Sequence, residues 1–130
     1  MSYDLAVWHS ETALSANEAL KPYRKLCKSE WVPTGQQPSV APFYAELCDR
    51  YPEIDALTEE ELDSCPWSCA HDKSGLHVIT CMNSGNELEG AAKFVIDLAA
   101  KHQLICFDPQ GPNVYVLADL KTKPSRFRFW

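Results

Sequence analysis

Several features that would identify a function are missing from this sequence. No run approaches the ~18 apolar residues of a membrane-spanning helix, so no transmembrane segment is expected. The first residues include neither a basic segment nor a long apolar one, so we predict no secretory signal and expect a cytoplasmic protein. There is no internal repeat. At 130 residues, the chain is expected to form a single domain over residues 1–130.

The motifs of well-understood catalytic mechanisms are also missing. The sequence has no G-x-S-x-G elbow, no G-x-x-x-x-G-K-[ST] phosphate loop, no G-x-G-x-x-G and no H-E-x-x-H. Cys106 with Asp108 could be drawn as a nucleophile and partner, but it falls in an apolar run, where burial makes a thiol inert. We therefore expect no enzymatic activity and name no catalytic residue.

Six cysteines are present without an export signal, so free thiols are the expected state. Cys65 and Cys69 form a C-x3-C pair near His71, and His77 and Cys81 follow on the next segment. Structural zinc prefers C-x2-C or C-x4-C pairs repeated at a second position, and this chain has no second pair. We therefore predict no metal ion and no cofactor. The cysteines in apolar patterns, expected to be buried, are Cys27, Cys48, Cys81 and Cys106.

The clearest structural pattern runs from Ser84 to Ala118. Ser84 and Glu87 have the spacing of a capping box, which predicts a helix start. The apolar residues that follow at helical spacing are Leu88, Ala91, Ala92, Val95, Leu98 and Ala99. Two β-rich runs come next, 104–107 and 114–117, separated by a loop of turn residues. We expect this helix to cover a sheet that contains both runs.

The N-terminal half predicts one strand and two helices. Residues Tyr3 to Trp8 alternate and are rich in β-formers, so they predict a central strand with Leu5 and Val7 on one side. Ser15 and Glu18 form a second capping box at the start of a helix. Because Pro22 removes a helical hydrogen bond, a kink or break is expected near Lys21. Apolar spacing over 40–51 predicts the second helix.

The middle of the chain predicts a turn and a hairpin. Thr58 and Glu61 predict a short capped helical turn. Residues 65–71 and 76–82 predict the two arms of a β-hairpin around Gly75. The resulting fold class is α+β, a ferredoxin-like plait of order β-α-β-β-α-β with an extra C-terminal strand. In this plait the helices lie on one face of an antiparallel sheet.

Negative charge is concentrated in one part of the chain. Nine acidic residues and one base, Arg50, lie between Glu46 and Asp72, a local net charge of −8 in a chain of net charge −6. Such a field speeds association with a basic partner. The alternative is a solvated acidic loop that keeps the protein soluble. The predicted partner-binding residues are Glu46, Asp49, Glu53, Asp55, Glu59, Glu60, Glu61 and Asp63.

The last ten residues are basic and aromatic. Their cations alternate with aromatic rings: Lys121, Lys123, Arg126, Phe127, Arg128, Phe129 and Trp130. Such a mixture can bind single-stranded nucleic acid, but the negative charge of the whole chain opposes a polyanion. We therefore expect no nucleic-acid partner and interpret the tail as an edge strand or a docked arm.

Three segments carry a resemblance to a known group of proteins. They are Tyr3-Asp4-Leu5-Ala6-Val7-Trp8, Pro66-Trp67-Ser68 and Cys106-Phe107-Asp108-Pro109-Gln110. The chain resembles a widespread family of small uncharacterised bacterial proteins that begin YDLAVW and carry a C-[YF]-D-P-Q motif. In size, charge and lack of catalytic motifs it is similar to the immunity proteins of bacterial toxin systems.

The resemblance implies a cytoplasmic immunity protein that binds a cognate, basic protein toxin through its acidic stretch and neutralises it. It transfers no catalytic residue. The alternative function is a small-ligand-binding or regulatory module, or a weak enzyme, with a pocket between the sheet and the loop from Asp108 to Asn113.

Overall fold

A computed structural model describes residues 2–9, 15–28, 40–74, 77–83 and 88–115. The strands are β1 (Ser2–Trp8), β2 (Asp72–Lys73), β3 (His77–Asn83), β4 (Ile105–Asp108) and β5 (Asn113–Tyr115). The helices are α1 (Ala16–Cys27), α2 (Ala41–Arg50), α3 (Glu59–Leu62) and α4 (Leu88–Lys101), with a 3-10 helix at Ile54–Ala56. The predicted α+β class is confirmed, whereas the ferredoxin-like plait stays a prediction.

The five strands form one open antiparallel sheet in the order β2-β3-β1-β4-β5. β1 is central, as predicted. It pairs with β3 from Ser2↔Asn83 to Trp8↔His77 and with β4 from Ala6↔Phe107 to Trp8↔Ile105. Its last four residues are almost completely buried, because a central strand covered on both faces has no solvated side.

The helices cover both faces of the sheet, so the prediction that they lie on one face is wrong. Leu5 and Val7 point into a core formed with α2 and α4. The opposite face has a core of its own with α1: Ala6, Trp8, Ala19, Leu26, Ile79, Ile105 and Phe107. The reason lies in β1, whose side chains are apolar on both faces of the sheet. Each face therefore needs a helix to exclude water.

The predicted helix starts can be compared with the caps that form. At α1, the Ser15 N–H donates to Glu18 Oε1 at 2.9 Å and the Glu18 N–H donates to Ser15 Oγ at 3.1 Å, which confirms the capping box. A kink or a break was predicted near Lys21. α1 continues through Pro22 to Cys27, so no break occurs there. The second helix is confirmed as α2. The capping box at 84–87 lies outside the described residues.

The first arm of the predicted hairpin is not a continuous strand. Only Asp72 and Lys73 form β2, and Trp67 makes a single bridge to Met82. Between these two contacts, four residues of the first arm oppose two of β3, so the arm bulges away from regular pairing. The Trp67 indole N–H also donates to the carbonyl oxygens of Tyr51 (3.2 Å) and Pro52 (3.1 Å), which holds this arm against the end of α2.

Some expectations fall on other parts of the chain. The basic and aromatic tail over 121–130 and the end of the last predicted strand, 116–117, lie outside the described residues. Within the described ranges, no helix combines the length and apolar character needed to span a bilayer.

Candidate functional site

The eight predicted binding residues divide into two groups. They extend from α2 through the 3-10 helix to the residue after α3. Three of them, Glu46, Glu53 and Glu61, are bound to groups of the protein itself. The other five are Asp49, Asp55, Glu59, Glu60 and Asp63. These five are exposed, and no described residue forms an ion pair with them.

Glu46 is paired with α4. Its carboxylate lies 2.9 Å from Nζ of Lys101 and 3.1 Å from Nε2 of His102. The hydrogen bond from Lys101 is the main reason that the pKa of Glu46 lies below its ordinary value. The contact ties the C-terminal end of α4 to α2, so the Glu46 charge is largely neutralised on the surface.

Glu53 connects α2 to the segment that precedes β2. Its Oε2 accepts a hydrogen bond from the Tyr44 hydroxyl, and its Oε1 accepts one from the His71 backbone N–H at 3.1 Å. Burial raises the pKa of Glu53, but the hydrogen bonds from Tyr44 and His71 outweigh it, and the pKa lies below its ordinary value. This carboxylate therefore organises the loop around it.

Glu61 and Thr58 form the predicted capping box of α3. The Thr58 N–H donates to Glu61 Oε1 at 2.9 Å, and the Glu61 N–H donates to Thr58 Oγ1 at 3.3 Å. The hydrogen bond from the Thr58 backbone lowers the pKa of Glu61. The cap sets the direction of α3 and with it the position of the exposed acids beside it.

An exposed leucine, Leu62, belongs to the same stretch of chain, 49–63, as the five exposed carboxylates. We use the name acidic face for these six residues (Asp49, Asp55, Glu59, Glu60, Leu62 and Asp63). Leu62 keeps 40% of its surface exposed and is the one large apolar side chain in the described residues to do so. Glu59 precedes Leu62 by three positions on α3, so the two side chains are neighbours on the helix surface, and Asp63 follows Leu62 directly. Sequence reasoning missed Leu62, although it is the only apolar residue in the run from Thr58 to Ser64.

An open pocket of about 260 Å³ lies between the end of α2 and α3. It is lined by Arg50, Tyr51, Pro52, Leu57, Glu61, Ser64, Cys65 and Pro66. The Arg50 guanidinium lies 4.3 Å from the centre of the Tyr51 ring, a cation–π contact. The pocket therefore adjoins the acidic face and combines apolar walls with one carboxylate and one cation.

His71 is the most isolated polar group of the described core. Its side chain is fully buried, and no described residue forms a hydrogen bond with either ring nitrogen. Its ring lies edge-on to Trp67 with centroids 4.5 Å apart, and its Nε2 lies 3.9 Å from Glu53 Oε1. Burial lowers the pKa of His71, against the opposing charge of Glu53, so the imidazole is neutral at pH 7.

A serine, a histidine and an aspartate meet at the β2–β3 turn. Ser74 Oγ lies 2.7 Å from His77 Nδ1, and His77 Nε2 lies 3.8 Å from Asp72 Oδ1, which is too long for a hydrogen bond. The Ser74 backbone N–H also donates to the His77 carbonyl at 3.0 Å. These contacts close the turn between neighbouring strands, and we assign them a structural role.

Two of the motifs behind the resemblance contact each other. The Tyr3 hydroxyl donates to the buried carboxylate of Asp108, whose Oδ1 also accepts the Gln110 N–H at 2.9 Å. The Gln110 side chain then pairs with the backbone of Asp4. The start of β1 and the loop after β4 are thus held together by hydrogen bonds. These contacts give the residues of both motifs a structural role and indicate no catalytic one.

All six cysteines are free. Cys106 is completely buried, and burial raises the pKa of its thiol, so it is a poor nucleophile. Cys27 is exposed, so its predicted burial is wrong; it is the last residue of α1. Within the described residues, no three His, Cys, Asp or Glu side chains are placed to hold a metal ion.

Comparison with family models, with curated proteins and with solved structures gives no match to this chain. The resemblance to the YDLAVW family therefore stays a prediction, and the acidic face must be interpreted from its own residues.

Proposed function

We propose that this protein is an immunity-type protein that binds a basic protein toxin in the cytoplasm through its acidic face. The observation that carries the proposal is that the stretch 49–63 holds an exposed Leu62 and five exposed carboxylates that have no ion-pair partner in the described residues. Protein-binding surfaces combine an apolar anchor with a polar rim.

The charges and the leucine have separate tasks in this proposal. Carboxylates such as Glu59 and Glu60 attract a cationic surface over several ångströms and raise the rate of association. Leu62 supplies the apolar contact that is desolvated once the partner has docked. The adjoining pocket next to Arg50 and Glu61 offers space for one side chain of the partner.

Three of the eight predicted residues take a supporting role. Glu46, Glu53 and Glu61 already accept hydrogen bonds from Lys101, from His71 and from the backbone at Thr58, respectively. We propose that they hold α2, the 3-10 segment and α3 in place behind the contact surface. Replacing any of these three residues should therefore weaken binding indirectly, because it destabilises the segments that carry the contact surface.

We also propose that the sheet is a plait of the ferredoxin-like kind with an added edge strand. Supporting this proposal, α2 and α4 pack into the same core on one face of the sheet. α1 is then an addition that covers the other face.

The test is to express the reading frames next to this gene in bacteria, to find one that is toxic, and to ask whether this protein protects the cells from it. Cells that express the toxin should survive with the natural protein. The variant Glu59→Lys with Glu60→Lys should slow association by about tenfold or more at low salt, because the steering field is reversed. Leu62→Ser should leave the association rate nearly unchanged and speed dissociation.

The matched control is Glu89→Lys with Asp97→Lys, which makes the same charge change on the exposed side of α4. It should keep both the protection and most of the association rate. The proposal is wrong if the natural protein gives no protection. It is also wrong if the α3 and α4 variants slow association equally.

A further inference from the structure

Four cations occupy one outward side of α1, on the face of the sheet opposite α2 and α4. Lys21, Arg24, Lys25 and Lys28 follow the i, i+3, i+4, i+7 spacing that places side chains in one stripe. All four are exposed, whereas Ala19 and Leu26 on the other side of the helix are buried in the core. We call this stripe the basic face of α1.

These four charges have no partners in the described part of the protein. No described carboxylate or aromatic ring lies within ion-pair or cation–π distance of them. Glu18, the only acid of α1, is occupied in the capping box. The other described cations are all engaged: Arg50 and Lys73 lie over tyrosine rings, and Lys93 and Lys101 form ion pairs with carboxylates.

The basic face borders a single hollow of about 390 Å³. Asn17 and Leu20 complete its lining, so an amide and a short apolar surface lie beside the four cations. A guanidinium fork and several ammonium groups around one hollow match the closely spaced oxygens of phosphate groups.

The helix dipole explains only part of this arrangement. Cations in the last turn are favoured by the partial negative charge at the C-terminal end of a helix, which accounts for Arg24 and Lys25. Lys21 lies a turn earlier, where this effect has faded. The dipole also does not explain why no described carboxylate neutralises the stripe in a chain of net charge −6.

The charge of the rest of the protein limits the size of the ligand. The four cations span about 10 Å along the helix. At physiological salt, charges beyond about 8 Å are largely screened, so a compact anion responds mainly to this face. A long polyanion would extend past it toward a protein that is acidic overall.

We propose that the basic face of α1 binds a compact ligand bearing two or more phosphate groups, either free in solution or as the headgroup of a lipid. This site is separate from the acidic face and does not depend on the toxin-binding proposal.

The first experiment is a calorimetric titration of the full chain with inorganic triphosphate in low-salt buffer. Saturable one-to-one binding is expected. Replacing Lys21→Gln together with Arg24→Gln should weaken it by at least about tenfold, because two charge-assisted contacts are lost. The control Lys73→Gln with Lys93→Gln makes the same change in net charge elsewhere and should alter the affinity by less than about threefold. Circular dichroism of each variant checks that the fold is intact.

Vesicles distinguish the two sources of the phosphates. Co-sedimentation with vesicles containing phosphatidylinositol bisphosphate, but not with phosphatidylserine vesicles of equal surface charge, would identify a lipid headgroup. Binding of triphosphate without binding to either vesicle would identify a free ligand. The proposal is overturned by the absence of saturable triphosphate binding, by equal weakening in the two pairs of variants, or by an oligonucleotide that binds more tightly than triphosphate.

Discussion

The side chain of Gln110 is hydrogen-bonded in both directions to the backbone of Asp4, a residue 106 positions earlier in the chain. Its Oε1 accepts the Asp4 N–H at 2.7 Å, and its Nε2 donates to the Asp4 carbonyl at 2.9 Å. The same Nε2 lies 2.5 Å from Oδ1 of the buried Asp108. The Gln110 side-chain amide thus forms hydrogen bonds with the backbone of the central strand β1 and also with the buried carboxylate of Asp108.

Replacing Gln110 should destabilise the fold without abolishing it. We expect Gln110→Ala to lower the free energy of unfolding by about 1–2 kcal/mol, because Asp4 and Asp108 lose partners, although water can replace part of the Asp4 contact. Gln110→Glu should be worse than alanine, since it places a second carboxylate beside Asp108. Urea unfolding measures both. A glutamate variant as stable as the natural protein would contradict this account of the contact.

The two capping boxes should differ in their effect on global stability. Ser15→Ala should lower the free energy of unfolding by about 1 kcal/mol, because α1 covers one face of the sheet and must form for the core to close. Thr58→Ala removes an equivalent cap from α3, which buries no side chain, and should change global stability by less than about 0.5 kcal/mol.

Urea unfolding of the two alanine variants gives this comparison directly. If binding of the partner is measured in parallel, Thr58→Ala should weaken it while stability is retained, because α3 carries the acids of the acidic face. A loss of stability for Thr58→Ala as large as that for Ser15→Ala would show that α3 belongs to the cooperative core.

Acid should destabilise the protein through His71. Burial lowers the pKa of this imidazole in the folded state from its ordinary 6.5, so the unfolded chain binds the extra proton first. The stability that depends on neutral His71 is therefore complete above pH 6.5 and falls as the pH drops toward the folded-state pKa. The lowered pKa of Glu53 acts in the same direction, but only below its ordinary 4.5.

The measurement is urea unfolding between pH 7.5 and pH 5, a range that isolates the histidines from Glu53. His77, whose pKa is also lowered by burial, contributes to the slope. His71→Phe should flatten the pH dependence by up to about 1.4 kcal/mol per pH unit, the maximum for one proton. Equal slopes for the variant and the natural protein would show that His71 is not the buried titrating group.

Local signals in the sequence were reliable predictors. The capping boxes at Ser15 and Thr58 form as predicted, because each depends only on residues three positions apart. The alternation in β1 correctly assigned Leu5 to one face of the sheet and Ala6 to the other. The first hairpin arm was predicted incorrectly, because its bulge depends on the hydrogen bonds of Trp67 to a distant segment.

The candidate site was only partly predictable. The sequence located the acidic stretch, but it could not show that Glu46 is paired with Lys101, 55 positions away, or that Glu53 lies against His71. The basic face of α1 was missed, although its i, i+3, i+4, i+7 spacing is visible in the sequence. Its importance depends on the absence of described carboxylates within ion-pair distance of the four cations, which spacing along one helix does not reveal.

The sequence by itself determined the local elements of this protein: where helices begin, which residues of the central strand share a face, and where charge accumulates along the chain. Only the tertiary structure decided that α1 covers the opposite face of the sheet, which acids stay exposed, and that Gln110 fastens the loop after β4 to β1. The physical reason is range. Caps and alternation depend on residues a few positions apart, whereas burial and charge pairing depend on segments that only packing brings together.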